Sequence, residues 1–297
     1  MTTSDLPDLR VSETPEGPIH HLEWDGPPGP TFVLVHGLGG SHLNWIQVAP
    51  ALAGLGRVLV PDLPGFGTTP LQGRPSGLMD LRRALAAFLA TEVAGPVTLA
   101  GNSMGGVLGV LQAAVDPASL DGLILSGSAF AWAAGGVPSP LVMAGFVASE
   151  VPGLGEAIAR ARLRRLRPEQ VVALGFRMVA VHPERIPDDV VGRHVALVAE
   201  QRDRDDVPVA FSAASRSLMR LARRRSVARR ALDAVSCPTL VLHGRRDRFV
   251  PARFAEAELA RHPEWRGRIL ADVGHVPQME APGRWVAEVA AWLAERR

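Results

Sequence analysis

The chain has 297 residues, of which 47% are hydrophobic and 21% charged. That is the balance of a globular protein burying a full core, not of a disordered or fibrous one. All 32 basic residues are arginine, tyrosine is absent and cysteine occurs once, as Cys237, so mechanisms needing a Schiff-base lysine, a P-loop lysine, a phenolic acid, a disulfide scaffold or a cysteine-held metal cluster fall away.

The formal net charge is +2. With no lysine or tyrosine to titrate, a basic isoelectric point carries no sign of nucleic-acid binding. Residues 1–17 lack a basic start followed by an apolar run, so no secretory leader is expected and the expected location is cytoplasmic. Residues 18–24 alternate like an edge strand, and residues 31–35 form a continuous apolar run, as in a strand buried on both faces. A glycine turn follows, His36-Gly37-Leu38-Gly39-Gly40, and Ser41 is placed to cap a helix after it. Residues 57–60 predict the next strand, which runs into Asp62, read as structural. Leu78, Leu81, Leu85, Phe88 and Leu89 keep one helical face. Residues 97–100 and 123–125 predict strands, with a helix over 107–115 between them. The charge-free stretches 31–56, 96–115 and 122–149 are interrupted by Gly, Pro and polar residues, so no stable membrane insertion is expected.

The strand–helix alternation stops over 131–232, a helical and arginine-rich span. Residues 150–230 hold 17 Arg against 10 acidic residues, while the rest holds 15 against 20. Arg160, Arg162, Arg164, Arg165 and Arg167 form one cluster and Arg220, Arg223, Arg224, Arg225, Arg229 and Arg230 another, read as solvated helix faces with attraction of an anionic substrate or an acidic membrane surface as the competing reading. Alternation resumes with strands at 239–242 and 268–270 and helical faces around Phe254 and from Trp285 to Leu293. The pattern predicts an α/β architecture, a mostly parallel sheet covered on both sides, with a helical insertion.

Gly101-Asn102-Ser103-Met104-Gly105-Gly106 lies between the strand 97–100 and the helix 107–115. An ordinary glycine-rich turn could share that composition. The strand–turn–helix context is what a nucleophilic serine needs. Its sharp turn forces small neighbours two residues away, and the following helix N-terminus offers free N–H groups to developing negative charge. A neutral serine also needs a base, and the base an anion to hold its tautomer.

These segments resemble the α/β-hydrolase family, in its serine hydrolase branch, over nearly the whole length. His36-Gly37-Leu38-Gly39-Gly40 resembles that family's oxyanion loop, and the resemblance assigns the donors to the Leu38 and Met104 N–H groups. His275, in Val273-Gly274-His275-Val276-Pro277, stands at the family's base position. Asp247, in Gly244-Arg245-Arg246-Asp247-Arg248-Phe249-Val250-Pro251, stands at the orienting position. The order Ser103, Asp247, His275 is the one this fold expects. The implied organisation is a core in two parts, 1–130 and 233–297, with a cap over 131–232. Gly37, Asn102 and Val276 are expected beside the substrate, and Trp132 and Phe146, from the apolar entry to the cap, in its pocket or in the cap's own core.

A serine nucleophile fits acyl chemistry and not the carboxylate-dependent opening of epoxides or carbon–halogen bonds. The expected activity is cleavage of a carboxylic ester of an apolar small molecule, with no cofactor, no metal and no nucleic-acid partner. Several readings stay open: carbon–carbon bond hydrolysis of meta-cleavage products, whose enzymes share the Gly101–Gly106 and Asp247–Pro251 segments; cofactor-free haloperoxidase or perhydrolase chemistry; a ligand receptor keeping the triad; and a homo-oligomeric state.

Overall fold

A computed structural model describes residues 6–128, 151 and 153–296. Among them are eight strands in one sheet: β1 (Arg10–Thr14), β2 (Gly17–Trp24), β3 (Phe32–Val35), β4 (Val58–Pro61), β5 (Val97–Asn102), β6 (Leu120–Ser126), β7 (Thr239–Gly244) and β8 (Arg266–Leu270). Their spatial order is β1-β2-β4-β3-β5-β6-β7-β8. The pairings of β1 with β2 and of β2 with β4 are antiparallel and all others are parallel. The expected edge strand at 18–24 is therefore corrected. β2 is an inner strand and β1 takes the edge, its charged residues outward and only Ser12 and Thr14 turned in.

The apolar runs behave as expected of strands covered on both faces: β3, β4, β5 and β7 are buried throughout. One face carries α2 (Leu78–Glu92), whose Leu78, Leu81, Leu85 and Phe88 enter the core, and α3 (Met104–Val115). The Asp80 carboxylate accepts the Gly77 N–H at 3.0 Å and so caps α2. The other face carries the short α1 (Ala49–Ala53) and the last helix, α11 (Pro282–Glu295), with Trp45, Trp285 and Trp292 packed against the sheet. Ser41 starts only a single 3₁₀ turn, His42–Asn44, and its hydroxyl accepts the Leu43 N–H.

Between β6 and β7 the described residues form five α-helices and no strand: α4 (Leu154–Arg165), α5 (Pro168–Val179), α6 (Asp188–Gln201), α7 (Asp206–Arg223) and α8 (Arg225–Asp233). Two more helices, α9 (Arg253–Arg261) and α10 (Pro277–Glu280), lie around β8. α7 buries Ala210, Ala214 and Leu218 at four-residue spacing, which lets its backbone approach the core closely. Ala210 meets Gly65 and Phe211 meets Gly39, both glycines at positive φ in loops above the carboxyl ends of β4 and β3. Arg229 of α8 forks onto Glu258 of α9 at 2.5 and 2.7 Å. No helix among the described residues is long and apolar enough to cross a membrane.

Candidate active site

The loops after β3, β5, β7 and β8 all leave the carboxyl edge of the sheet, where open α/β sheets place their ligands. At the end of β5 the chain turns through Ser103 at φ 53°, ψ −113°. Residues with side chains reach positive φ at a cost of order 1–3 kcal/mol, tolerated where the surroundings enforce it. Here they do. The Ser103 N–H is bonded to the Ser126 carbonyl at 3.1 Å, and Gly101 and Gly105 touch, so a side chain on either would strike backbone. Gly105 also lies against the Val35 and His36 carbonyls.

This contact brings the oxyanion-loop candidate to the serine. A methyl group on Gly37 would stand 3.1 Å from Ser103 Cβ and 3.3 Å from the Asn102 carbonyl oxygen. The loop is pinned by His36, which donates from Nδ1 to the Gly37 carbonyl at 2.8 Å and accepts the Leu63 N–H on Nε2 at 3.1 Å. Burial presses the His36 pKa down, although Asp62 opposes this; the neutral ring is the form that can accept from Leu63. Among the described residues the N–H groups of Leu38 and Met104 have no hydrogen-bond partner. Met104 opens α3, so its N–H is one of the free donors at a helix N-terminus.

His275 is held at four points. Its backbone N–H donates to the Val179 carbonyl at 2.8 Å, and its carbonyl accepts from Asn102 Nδ2 at 3.1 Å. Its Nδ1 donates to Asp247 Oδ2 at 2.7 Å, and the Phe249 ring stacks on it with centroids 5.1 Å apart and planes 20° apart. Asp247 in turn accepts the Phe249 and Val250 N–H groups on Oδ1 at 2.7 and 2.8 Å. Burial pushes its carboxyl pKa up, but the charge and hydrogen bonds of His275 and His243 outweigh that and hold it well below the usual carboxylate range. The imidazole thus keeps Nδ1 protonated and leaves Nε2 as the basic atom. Among the described residues the Ser103 hydroxyl has no hydrogen-bond partner, so the hydroxyl–imidazole contact is one the reacting geometry has still to make.

Other expected site residues have different surroundings. Asn102 is buried, and its amide N–H groups go to the carbonyls of Ser126 and His275, tying β5 to β6 and to the His275 loop. Val276 is packed in the core beside α11. Trp132 and Phe146 lie outside the described residues. Asp62 follows β4 and accepts from His42 through the His42 N–H at 2.6 Å and its Nδ1 at 2.8 Å, well within a structural role.

Sequence reasoning missed Phe249, His243, Glu280 and Phe211. Glu280 Oε2 accepts the Gly274 N–H at 2.7 Å, and its Oε1 accepts those of Val181 and His182 at 2.9 Å each, tying the His275 loop to the residues after α5. A signal was available for Phe249, two residues beyond Asp247 in a segment already singled out. None was available for Phe211, which is distant in sequence from everything it touches here.

Residues 32–289 match the profile of the Alpha/beta hydrolase family. The chain is 28% identical over 284 residues to the dihydrolipoyllysine-residue acetyltransferase component of the acetoin cleaving system of Pseudomonas putida, covering 93% of this chain but 66% of that protein. It is 29% identical to a pimeloyl-[acyl-carrier protein] methyl ester esterase of Aeromonas hydrophila, over 87% of this chain and 93% of the relative. With 2-hydroxymuconate semialdehyde hydrolase of Pseudomonas sp. strain CF600 the identity is 27%, over 91% and 89%. A solved thermophilic esterase from Thermogutta terrifontis superimposes with a TM-score of 0.72 at 25% identity, covering 97% of this chain and 98% of that one.

Proposed function

The chain belongs to the alpha/beta hydrolase family, and on that footing we propose that it is a serine hydrolase cleaving a carboxylic ester, or a related acyl bond, of an apolar small molecule. In this reading His275 Nε2 takes the Ser103 hydroxyl proton as Oγ attacks the carbonyl carbon. The Leu38 and Met104 N–H groups receive the oxyanion, and His275 returns the proton to the leaving alcohol. Water then repeats the sequence on the acyl-enzyme. Asp247 keeps the imidazole in the required tautomer and stabilises its cation. The observation that carries the reading is the 2.7 Å bond from His275 to Asp247, made on loops from two different strands beside the strained turn of Ser103.

Residues 131–232 serve in this proposal as a cap, with Phe211 of α7, seated on Gly39 of the oxyanion loop, as one apolar wall of the acyl site. A fluorophosphonate probe labels Ser103, and the wild type turns over short p-nitrophenyl esters. Ser103→Ala loses the label and roughly three to six orders of magnitude in kcat. Labelling of Ser103→Ala, or ester turnover that survives it, overturns the proposal. Labelling of the wild type without turnover marks a receptor instead. A second reading, carbon–carbon bond hydrolysis, is supported by the likeness to the 2-hydroxymuconate semialdehyde hydrolase. Preference for a vinylogous 1,5-diketone over the esters would select it.

A further inference from the structure

We propose that His243 is a positioning residue of this site, a second imidazole on the Asp247 carboxylate that sets how firmly Asp247 holds His275. The inference rests on the reading of Ser103, His275 and Asp247 as the reacting centre.

His243 is the penultimate residue of β7 and fully buried. Its Nε2 lies 2.7 Å from the Val250 carbonyl oxygen and 3.3 Å from Asp247 Oδ2. A carbonyl only accepts, so Nε2 carries a hydrogen, and that N–H is shared between the two oxygens. Among the described residues Nδ1, on the other side of the ring, is buried without a partner. A half-satisfied imidazole at the end of an apolar strand costs stability that a leucine there would not, which points to work done by the satisfied half.

That half touches the carboxylate from the side opposite its backbone donors. Asp247 Oδ1 is occupied by the Phe249 and Val250 N–H groups, and Oδ2 receives His275 at 2.7 Å and His243 at 3.3 Å. Val250 closes the ring, giving its N–H to Asp247 and its carbonyl to His243. The carboxylate therefore cannot turn away from His275. The titratable groups acting on it are His275, from the loop after β8, and His243, from β7; the neighbouring Arg246 and Arg248 are exposed.

The consequence has a sign. The His243 N–H partly neutralises the oxygen that faces the His275 imidazolium. Without it, Oδ2 favours the protonated imidazole more strongly, so the acidic limb of the pH profile of kcat/KM moves to higher pH, while a looser carboxylate lowers kcat.

The test compares His243→Leu, His243→Gln and His243→Asn in the full chain, on the p-nitrophenyl ester the wild type turns over. The glutamine amide reaches about as far as imidazole Nε2, whereas the asparagine amide matches Nδ1 and falls short of Asp247. His243→Leu and His243→Asn are expected to lose about 10–100-fold in kcat with KM nearly unchanged, as for groups that orient a reacting side chain. Their acidic limb is expected to rise by about half a pH unit. His243→Gln returns both towards wild type. If His243→Leu does not fold, the Gln and Asn pair carries the comparison. An unmoved limb, or equal losses in the Gln and Asn variants, overturns the proposal and leaves a packing residue. Failure of the underlying reading registers separately, as Ser103→Ala that keeps the probe label or the turnover.

Discussion

Ser103, Asp247 and His275 are each legible from a few neighbouring residues, because each needs a turn chemistry that leaves a mark in sequence: glycines around the serine, a glycine before the histidine, a glycine three residues before the aspartate. Phe249 stands in the segment that marks Asp247, but that its ring is laid on another loop's imidazole is visible only in the structure. In the proposed mechanism a stacked aromatic face stabilises the imidazolium that forms when His275 takes the serine proton. Phe249→Leu is therefore expected to lower kcat about 3–10-fold with little change in KM. It should also move the acidic limb to lower pH, the direction opposite to that of His243→Leu, and a pH–rate profile reads both. Asn102, expected beside the substrate from its place next to Ser103, has its amide nitrogen bonded to the carbonyls of Ser126 and His275.

Among the elements, the unit β5–Ser103–α3 is the most constrained. Gly105 packs on the carbonyls of Val35 and His36, so the first turn of α3 and the end of β3 touch through backbone alone. Gly105→Ala must push β3 aside and is expected to cost about 2–4 kcal/mol in chemical denaturation, with activity lost in proportion to the displaced oxyanion loop. Gly95→Ala, where an added methyl meets open space, is the control and should stay within about 0.5 kcal/mol. The buried strands and the helices after them were legible as apolar runs and periodic faces. β1 was not. It is five residues long, turns Arg10, Val11 and Glu13 outward, and exists only because β2 offers it a ladder.

For the molecule as a whole, acid stability follows from groups buried on both sides of the sheet. Burial presses the pKa values of His21 and His36 down, so the folded state resists protonating them. The stability they contribute is complete above the ordinary histidine value of 6.5 and declines as pH falls below it. Burial raises the Asp62 carboxyl, but the His42 charge and hydrogen bond, with His36 and the Thr68 N–H, outweigh it and hold the pKa at about 2 against 3.8. Its contribution, about 2 kcal/mol, is present above 3.8 and is lost as pH falls through 2. Tm against pH should thus decline in two stages, and Asp62→Asn should remove only the one below pH 4. The sequence by itself determined the α/β architecture, the chain order of the candidates Ser103, Asp247 and His275, and the helices among the described residues between β6 and β7, because these follow from periodicity and turn chemistry within a few residues. Only the tertiary structure decided what holds His275 in place. Asn102, the Val179 carbonyl and the Asp247–Phe249 turn reach His275 from three separate segments, and contacts between distant segments depend on strand order and loop packing that no local pattern encodes.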